Sequence, residues 1–145
     1  SGEFDEKKFK SSVIVFIFTL FLIVGNAAAG TYLGDFCFNF SDSKGDSGPM
    51  KIGVSHIGGG HYNFSGHINV VTSATILSVL GNIELINNQL VMVFRSSDAD
   101  ATNLYTNNGV VYLDRQSLSG TGKYLFTQNT TSSVINVTLT KTVCP

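Results

Sequence analysis

The chain has 145 residues, nine Lys and Arg against ten Asp and Glu, and 43% hydrophobic residues. That length holds one domain, and the net charge of -1 excludes the basic face that nucleic-acid binding requires. With only 13% charged residues, a charge-rich disordered tail is excluded as well.

Residues 1–29 are unlike the rest. Lys7, Lys8 and Lys10 precede an apolar run, Val13–Val24, broken only by Thr19, and Ala27-Ala28-Ala29-Gly30 follows. A basic start, a short apolar run and a small-residue site are the three parts of a secretory signal peptide. The run is shorter than the roughly 20 residues of a spanning helix. A cleaved signal is therefore expected, with a retained hydrophobic helical anchor as the alternative. Membrane contact is expected only through this segment, if it stays attached. Ser1-Gly2-Glu3-Phe4 reads as a tag remnant ahead of it.

Residues 30–145 are expected to form a single all-β domain in a secreted or periplasmic location. Ser, Thr and Asn supply 36 of these residues, so the surface is polar but mostly uncharged, a composition poor for long helices. Cys37 and Cys144 are the only cysteines. Beyond an export signal they are expected to pair, as a staple around nearly the whole domain.

Period-2 alternation dominates from Tyr32 onward. Phe36, Phe38 and Phe40 alternate with Asp35, Cys37 and Asn39; Tyr62, Phe64, Ile68 and Val70 alternate with polar residues over His61–Val71. Ile135, Val137 and Leu139 alternate with Asn136, Thr138 and Thr140. These are half-buried strands. Turns are predicted at Gly58-Gly59-Gly60, Asn87-Asn88, Asn108-Gly109 and 128–131, with Asn-Gly the strongest hairpin signal among them. That hairpin would set Tyr105 opposite Tyr112. Ser73–Leu80 reads as either a strand or a short capped helix.

The sum is an antiparallel meander of eight or nine strands in a single barrel, with a β-sandwich as the alternative. A closed antiparallel barrel needs an even number. In a meander the tight connections (58–60, 87–88, 108–109, 128–131) would share one rim. The longer ones (41–49, 72–75, 96–101) would share the other, with Asp42, Asp46, Asp98 and Asp100.

Several motifs carry possible chemistry. Gly45-Asp46-Ser47-Gly48-Pro49 resembles the nucleophile segment of trypsin-like serine proteases with one Gly missing, but no His precedes Ser47 and the domain is too short for two barrels. His56, His61 and His67 are spaced for two metal ligands at most, so no metal or other cofactor is expected. The four rim acids match no calcium-loop pattern. Asn39, Asn63, Asn129 and Asn136 stand in glycosylation sequons, which so Asn- and Thr-rich a chain produces by chance.

Gly34-Asp35-Phe36 opens the first strand where lipocalin-like barrels carry Gly-x-Trp. The aromatic core, the succession of hairpins and a bridge to the last strand are similar to that family too. The chain has no Trp, which departs from the pattern and also argues against an avidin-like biotin site. The resemblance implies a small secreted barrel.

Two functions follow. In the first, a non-catalytic binding protein holds a small apolar ligand in a lumen lined by Phe36, Phe38, Ile52, Val54, Tyr62, Phe64, Met92 and Phe94. In the second, an adhesin, inhibitor or envelope factor has a filled core and meets a protein or envelope partner through its surface. No nucleophile, base and orienting group can be assembled, so an enzyme is not expected. An internal pocket above about 300 Å³ separates the first from the second.

Overall fold

The computed structural model describes residues 30–145, and the signal, anchor and tag expectations for residues 1–29 lie outside the described residues. Eight strands follow one another: β1 (Thr31–Asp42), β2 (Ser47–Gly58), β3 (His61–Val70), β4 (Thr75–Ile86), β5 (Gln89–Ala99), β6 (Leu104–Asp114), β7 (Gly120–Gln128) and β8 (Thr131–Thr142). Each pairs antiparallel with the next, and β1 pairs antiparallel with β8 to close one barrel. The architecture is a barrel and not a sandwich, with no helix among the described residues.

Alternation puts the apolar set inside. Phe38, Met50, Ile52, Val79, Met92, Val111, Leu113 and Leu139 are all buried to within a few per cent. Outward positions on β1, β3 and β8 are Asn39, Asn63, Asn69, Thr138 and Thr140, all exposed. A lipid-embedded barrel carries its apolar band on the outside. Here the outer face is mixed: those polar positions stand beside exposed Leu33 and Val134, and β4, β5 and β7 also expose Ile76, Leu80, Val93 and Leu125.

One ring of the interior explains how an aromatic core fits. Across the ladders, Phe64 pairs with Gly81, Gly81 with Phe94, Phe94 with Gly109 and Gly109 with Tyr124. Aromatic and glycine alternate around the wall, so each ring fills the space its neighbour leaves empty. Phe94 and Tyr124 meet edge-on across Gly109, with centroids 6.2 Å apart.

That ring overturns the predicted Asn108-Gly109 hairpin. Both residues lie in the middle of β6, paired with Arg95 and Phe94 on one side and Leu125 and Tyr124 on the other. Gly109 is there for close approach, not for positive φ. Tyr105 accordingly faces Asp98 and Gln128, not Tyr112. Removing the false turn reduces nine candidate strands to eight. It also moves 128–131 to the rim of the long loops, because Gln128 and Thr131 now end and begin strands there. The predicted 96–101 loop shrinks, since β5 runs to Ala99, and Ser73–Leu80 resolves into a turn followed by β4. Asn87-Asn88 is a tight turn as expected, with φ of 49° and 64°.

One rim thus carries the loops 43–46, 71–74, 100–103 and 129–130, and the other carries 59–60, 87–88 and 115–119. The β1–β8 seam is the shortest ladder, running from Asp42↔Val137 to Cys37↔Thr142. Where it stops, Cys37 and Cys144 form a disulfide with Cα atoms 5.1 Å apart. Cys37 is on the outer, polar-side phase of β1, as predicted, and is buried by the bridge.

Candidate functional site

The two halves of the interior differ. Below the aromatic–glycine ring the barrel is filled: Met92 and Val111 expose nothing and Leu113 exposes 2%. Above the ring, toward the 43–46 and 100–103 loops, the barrel holds a cavity of about 470 Å³. Its walls are Phe40, Ile68, Val70, Leu77, Phe94, Phe126 and Val137, and its mouth carries Asp42, Asp46, Asp98, Asp100 and Lys44. The cause is visible in β5. Its inward positions run Leu90, Met92, Phe94, Ser96, Asp98, so apolar side chains give way to short polar ones as the rim approaches.

The rim is held by hydrogen bonds from residues at the ends of strands. Asp42 accepts the backbone N–H groups of Lys44 and Asp46 through one oxygen and the Tyr124 hydroxyl, at 2.6 Å, through the other. Burial and that carboxylate raise the Tyr124 hydroxyl far above the ordinary phenol range, so it stays a donor. Asp46 accepts from the Thr72 hydroxyl at 2.8 Å and pairs with Lys44 at 3.2 Å, tying the first loop to the second. Burial works against the Asp46 charge, but the Thr72 and Lys44 hydrogen bonds outweigh it and its carboxyl is lowered.

Asp100 holds the third loop. It accepts the N–H groups of Thr102 and Asn103, both at 2.8 Å, and the Tyr105 hydroxyl at 3.1 Å. Those backbone donors favour the charged carboxylate and lower it from 3.8 to about 2. Because the folded value is the depressed one, the tie is at full strength above about pH 4 and is lost as pH falls through about 2. Near-UV circular dichroism from Tyr105 should show that acid step in the wild-type chain and not in Asp100→Asn. The same step in both proteins would refute the assignment. Asn103 then accepts from the Asn129 side chain at 3.1 Å, joining the third loop to the fourth.

Deeper in the cavity, Ser96 is 6% exposed and accepts a 3.0 Å hydrogen bond from the Asn107 side-chain amide. The Asn107 side-chain carbonyl oxygen is buried and has no partner among the described residues. A buried amide end without a partner costs on the order of 1–3 kcal/mol, and a polar group entering the cavity would relieve it. The Phe126 ring stacks on Tyr105 with centroids 6.2 Å apart, forming one aromatic wall.

Of the lumen residues expected from sequence, Phe38, Ile52, Val54, Phe64 and Met92 lie in the closed core, and Phe36 and Tyr62 pack against it. Only Phe94 of that set reaches the cavity. Sequence reasoning missed Ser96, Asn107, Tyr105, Tyr124 and Phe126. The change from apolar to polar along one inward-facing phase of β5 was the available signal. His56 and His61 lie at the opposite rim, against Tyr62 and Glu84. Among the described residues, no three His, Cys, Asp or Glu side chains converge as metal ligands. Gly45-Asp46-Ser47 forms the turn into β2, with Asp46 committed to Thr72 and Lys44.

A second, larger depression of about 960 Å³ lies on the outer face of β2 to β6, between Ser55, Asn63, Asn82, Leu80, Val93 and Asn108. It is a surface groove, whereas the barrel wall surrounds the inner cavity.

Compared with family models, characterised proteins and solved structures, the chain matches none.

Proposed function

We propose that the protein is a non-catalytic, extracytoplasmic binding protein that holds a small, largely apolar ligand in the mouth cavity. The observation that carries this reading is the 470 Å³ cavity itself. Its volume lies within the range of pockets that take small molecules, and it has apolar walls with a few convergent polar groups. The disulfide supports an oxidising compartment, because such bonds persist outside the cytosol. The closed eight-stranded meander is the architecture that lipocalin-like barrels use for the same purpose.

The test is a titration with N-phenyl-1-naphthylamine, a neutral apolar fluorophore whose emission rises on leaving water. Saturable one-to-one binding is expected. Leu77→Trp, which fills the cavity and supplies the chain's only Trp, should weaken it at least about tenfold, the 1.4 kcal/mol equivalent. Val93→Trp, on the outer groove, should not. No saturable binding, or a loss confined to Val93→Trp, would reject this reading and favour the surface-interaction alternative.

A further inference from the structure

We propose that the ligand of the mouth cavity carries an organic cation, such as a protonated amine, on its apolar body. This rests on the cavity being a ligand site and deepens that reading by naming the head group. Three observations carry it.

The first is that the barrel already places an ammonium there. The Lys44 amino group lies 4.0 Å from the centre of the Phe126 ring and 3.2 Å from Asp46. An aromatic face and a carboxylate together are what an alkylammonium needs when it leaves water. The chain's own Lys44 therefore samples the chemistry that an incoming amine would use.

The second is the charge inventory of the mouth: four carboxylates against one ammonium. Three of the carboxylates are committed. Asp42 is saturated by Tyr124 and two backbone N–H groups, Asp46 is shared by Thr72 and Lys44, and Asp100 is held by its own loop. Asp98 is different. It occupies the last inward position of β5 and, among the described residues, accepts only the N–H of Ala99, at 2.8 Å. It has no side-chain partner among the described residues, and it pairs across the ladder with Tyr105, whose ring stacks on Phe126. An uncommitted carboxylate beside an aromatic wall attracts a cation and repels a carboxylate or phosphate head.

The third is the Asn107 side-chain carbonyl oxygen deeper in the cavity, an acceptor without a partner among the described residues. It can satisfy one polar group on the ligand body, a role that charged rim residues cannot fill from outside. A hydrated metal ion would leave both this acceptor and the apolar walls unused. An amphiphilic amine uses all three features together.

The experiment displaces bound N-phenyl-1-naphthylamine with three ten-carbon probes that differ only in head group: decylamine, decanol and decanoate. At pH 7 decylamine should displace the dye at about one tenth of the decanol concentration, as one partly desolvated ion and aromatic contact predicts. Decanoate should be the weakest. The decylamine-to-decanol ratio is then measured in two variants. Asp98→Asn should bring it to within about twofold of unity. Lys44→Met should raise it, because the resident ammonium no longer competes. Circular dichroism confirms folding of each variant, and the ratio is internal to each protein.

Equal or stronger displacement by decanol or decanoate would overturn the cation proposal and leave the cavity reading standing. So would a ratio unchanged in Asp98→Asn or lowered in Lys44→Met. If the dye itself does not bind saturably, the cavity reading fails, and the head-group proposal fails with it.

Discussion

Replacing both cysteines (Cys37→Ser with Cys144→Ser), or reducing their bond, is expected to lower stability by about 4–5 kcal/mol. The bridge joins residues 107 positions apart, and the entropy it removes from the unfolded chain grows with the logarithm of that loop. Its position adds a second argument. The β1–β8 ladder is the shortest in the barrel, and it is the one that converts an eight-stranded sheet into a closed wall. Beyond Cys37, residues 31–36 of β1 have no partner on the β8 side among the described residues, so the bridge pins the chain where the β1–β8 ladder stops. A domain of this size has a total stability of about 5–15 kcal/mol, so the reduced protein would approach the unfolding threshold. Urea unfolding with and without a reductant gives the measurement. The midpoint should fall by about 2 M, with a somewhat steeper slope because the unbridged unfolded chain is less compact. A fall below about 0.5 M would mean that the seam closes without help. Whatever fraction stays folded should still bind the fluorophore, because the bridge stands at the opposite end of the seam from Asp42 and the mouth.

The strands were legible because their two faces differ so sharply. Ile135, Val137 and Leu139 against Asn136, Thr138 and Thr140 admit only one period, and the register follows from it. The rim acids were legible for a topological reason: in a meander alternate connections share an end, which brings Asp42, Asp46, Asp98 and Asp100 together. The disulfide followed from there being only two cysteines. The cavity was not legible to the same degree. An alternating pattern shows which side chains point inward, but not whether opposing walls meet. Met92 and Phe94 are equivalent in the pattern, yet one is in the filled half and the other lines a void. Tyr124 was also beyond reach, since its partner Asp42 is 82 positions away. Asn107 and Gly109 were hidden by a local rule, because Asn-Gly dipeptides usually mark turns. Here the pair is set among strand residues on both sides, and tertiary packing overrode the local preference.

Gly109→Ala is expected to lower stability by about 3 kcal/mol and the Tm by about 10 °C, the upper end of what overpacking usually costs. An added methyl would lie 2.5 Å from the Tyr124 Cβ, 2.7 Å from the Lys123 carbonyl oxygen and 2.8 Å from a Phe94 ring carbon. Two of those atoms belong to, or are anchored on, the neighbouring backbone, so no rotamer change relieves them. The sign of the effect is itself informative. In an open strand position Gly→Ala stabilises by about 0.4–1 kcal/mol, because it restricts the unfolded chain. A stabilised variant would therefore refute the alternating aromatic–glycine ring. Phe94→Leu combined with Gly109→Ala should recover only part of the loss, since trimming the ring removes one of the three collisions. The change also reaches the cavity, whose wall includes both Phe94 and Tyr124. Forcing those rings apart disturbs the Tyr124–Asp42 hydrogen bond that fixes the first loop of the mouth. Fluorophore binding should accordingly weaken in Gly109→Ala at temperatures where the barrel is still fully folded. The glycine that imitates a hairpin tip in the sequence is, on this account, the spacer that keeps the floor of the binding cavity in place.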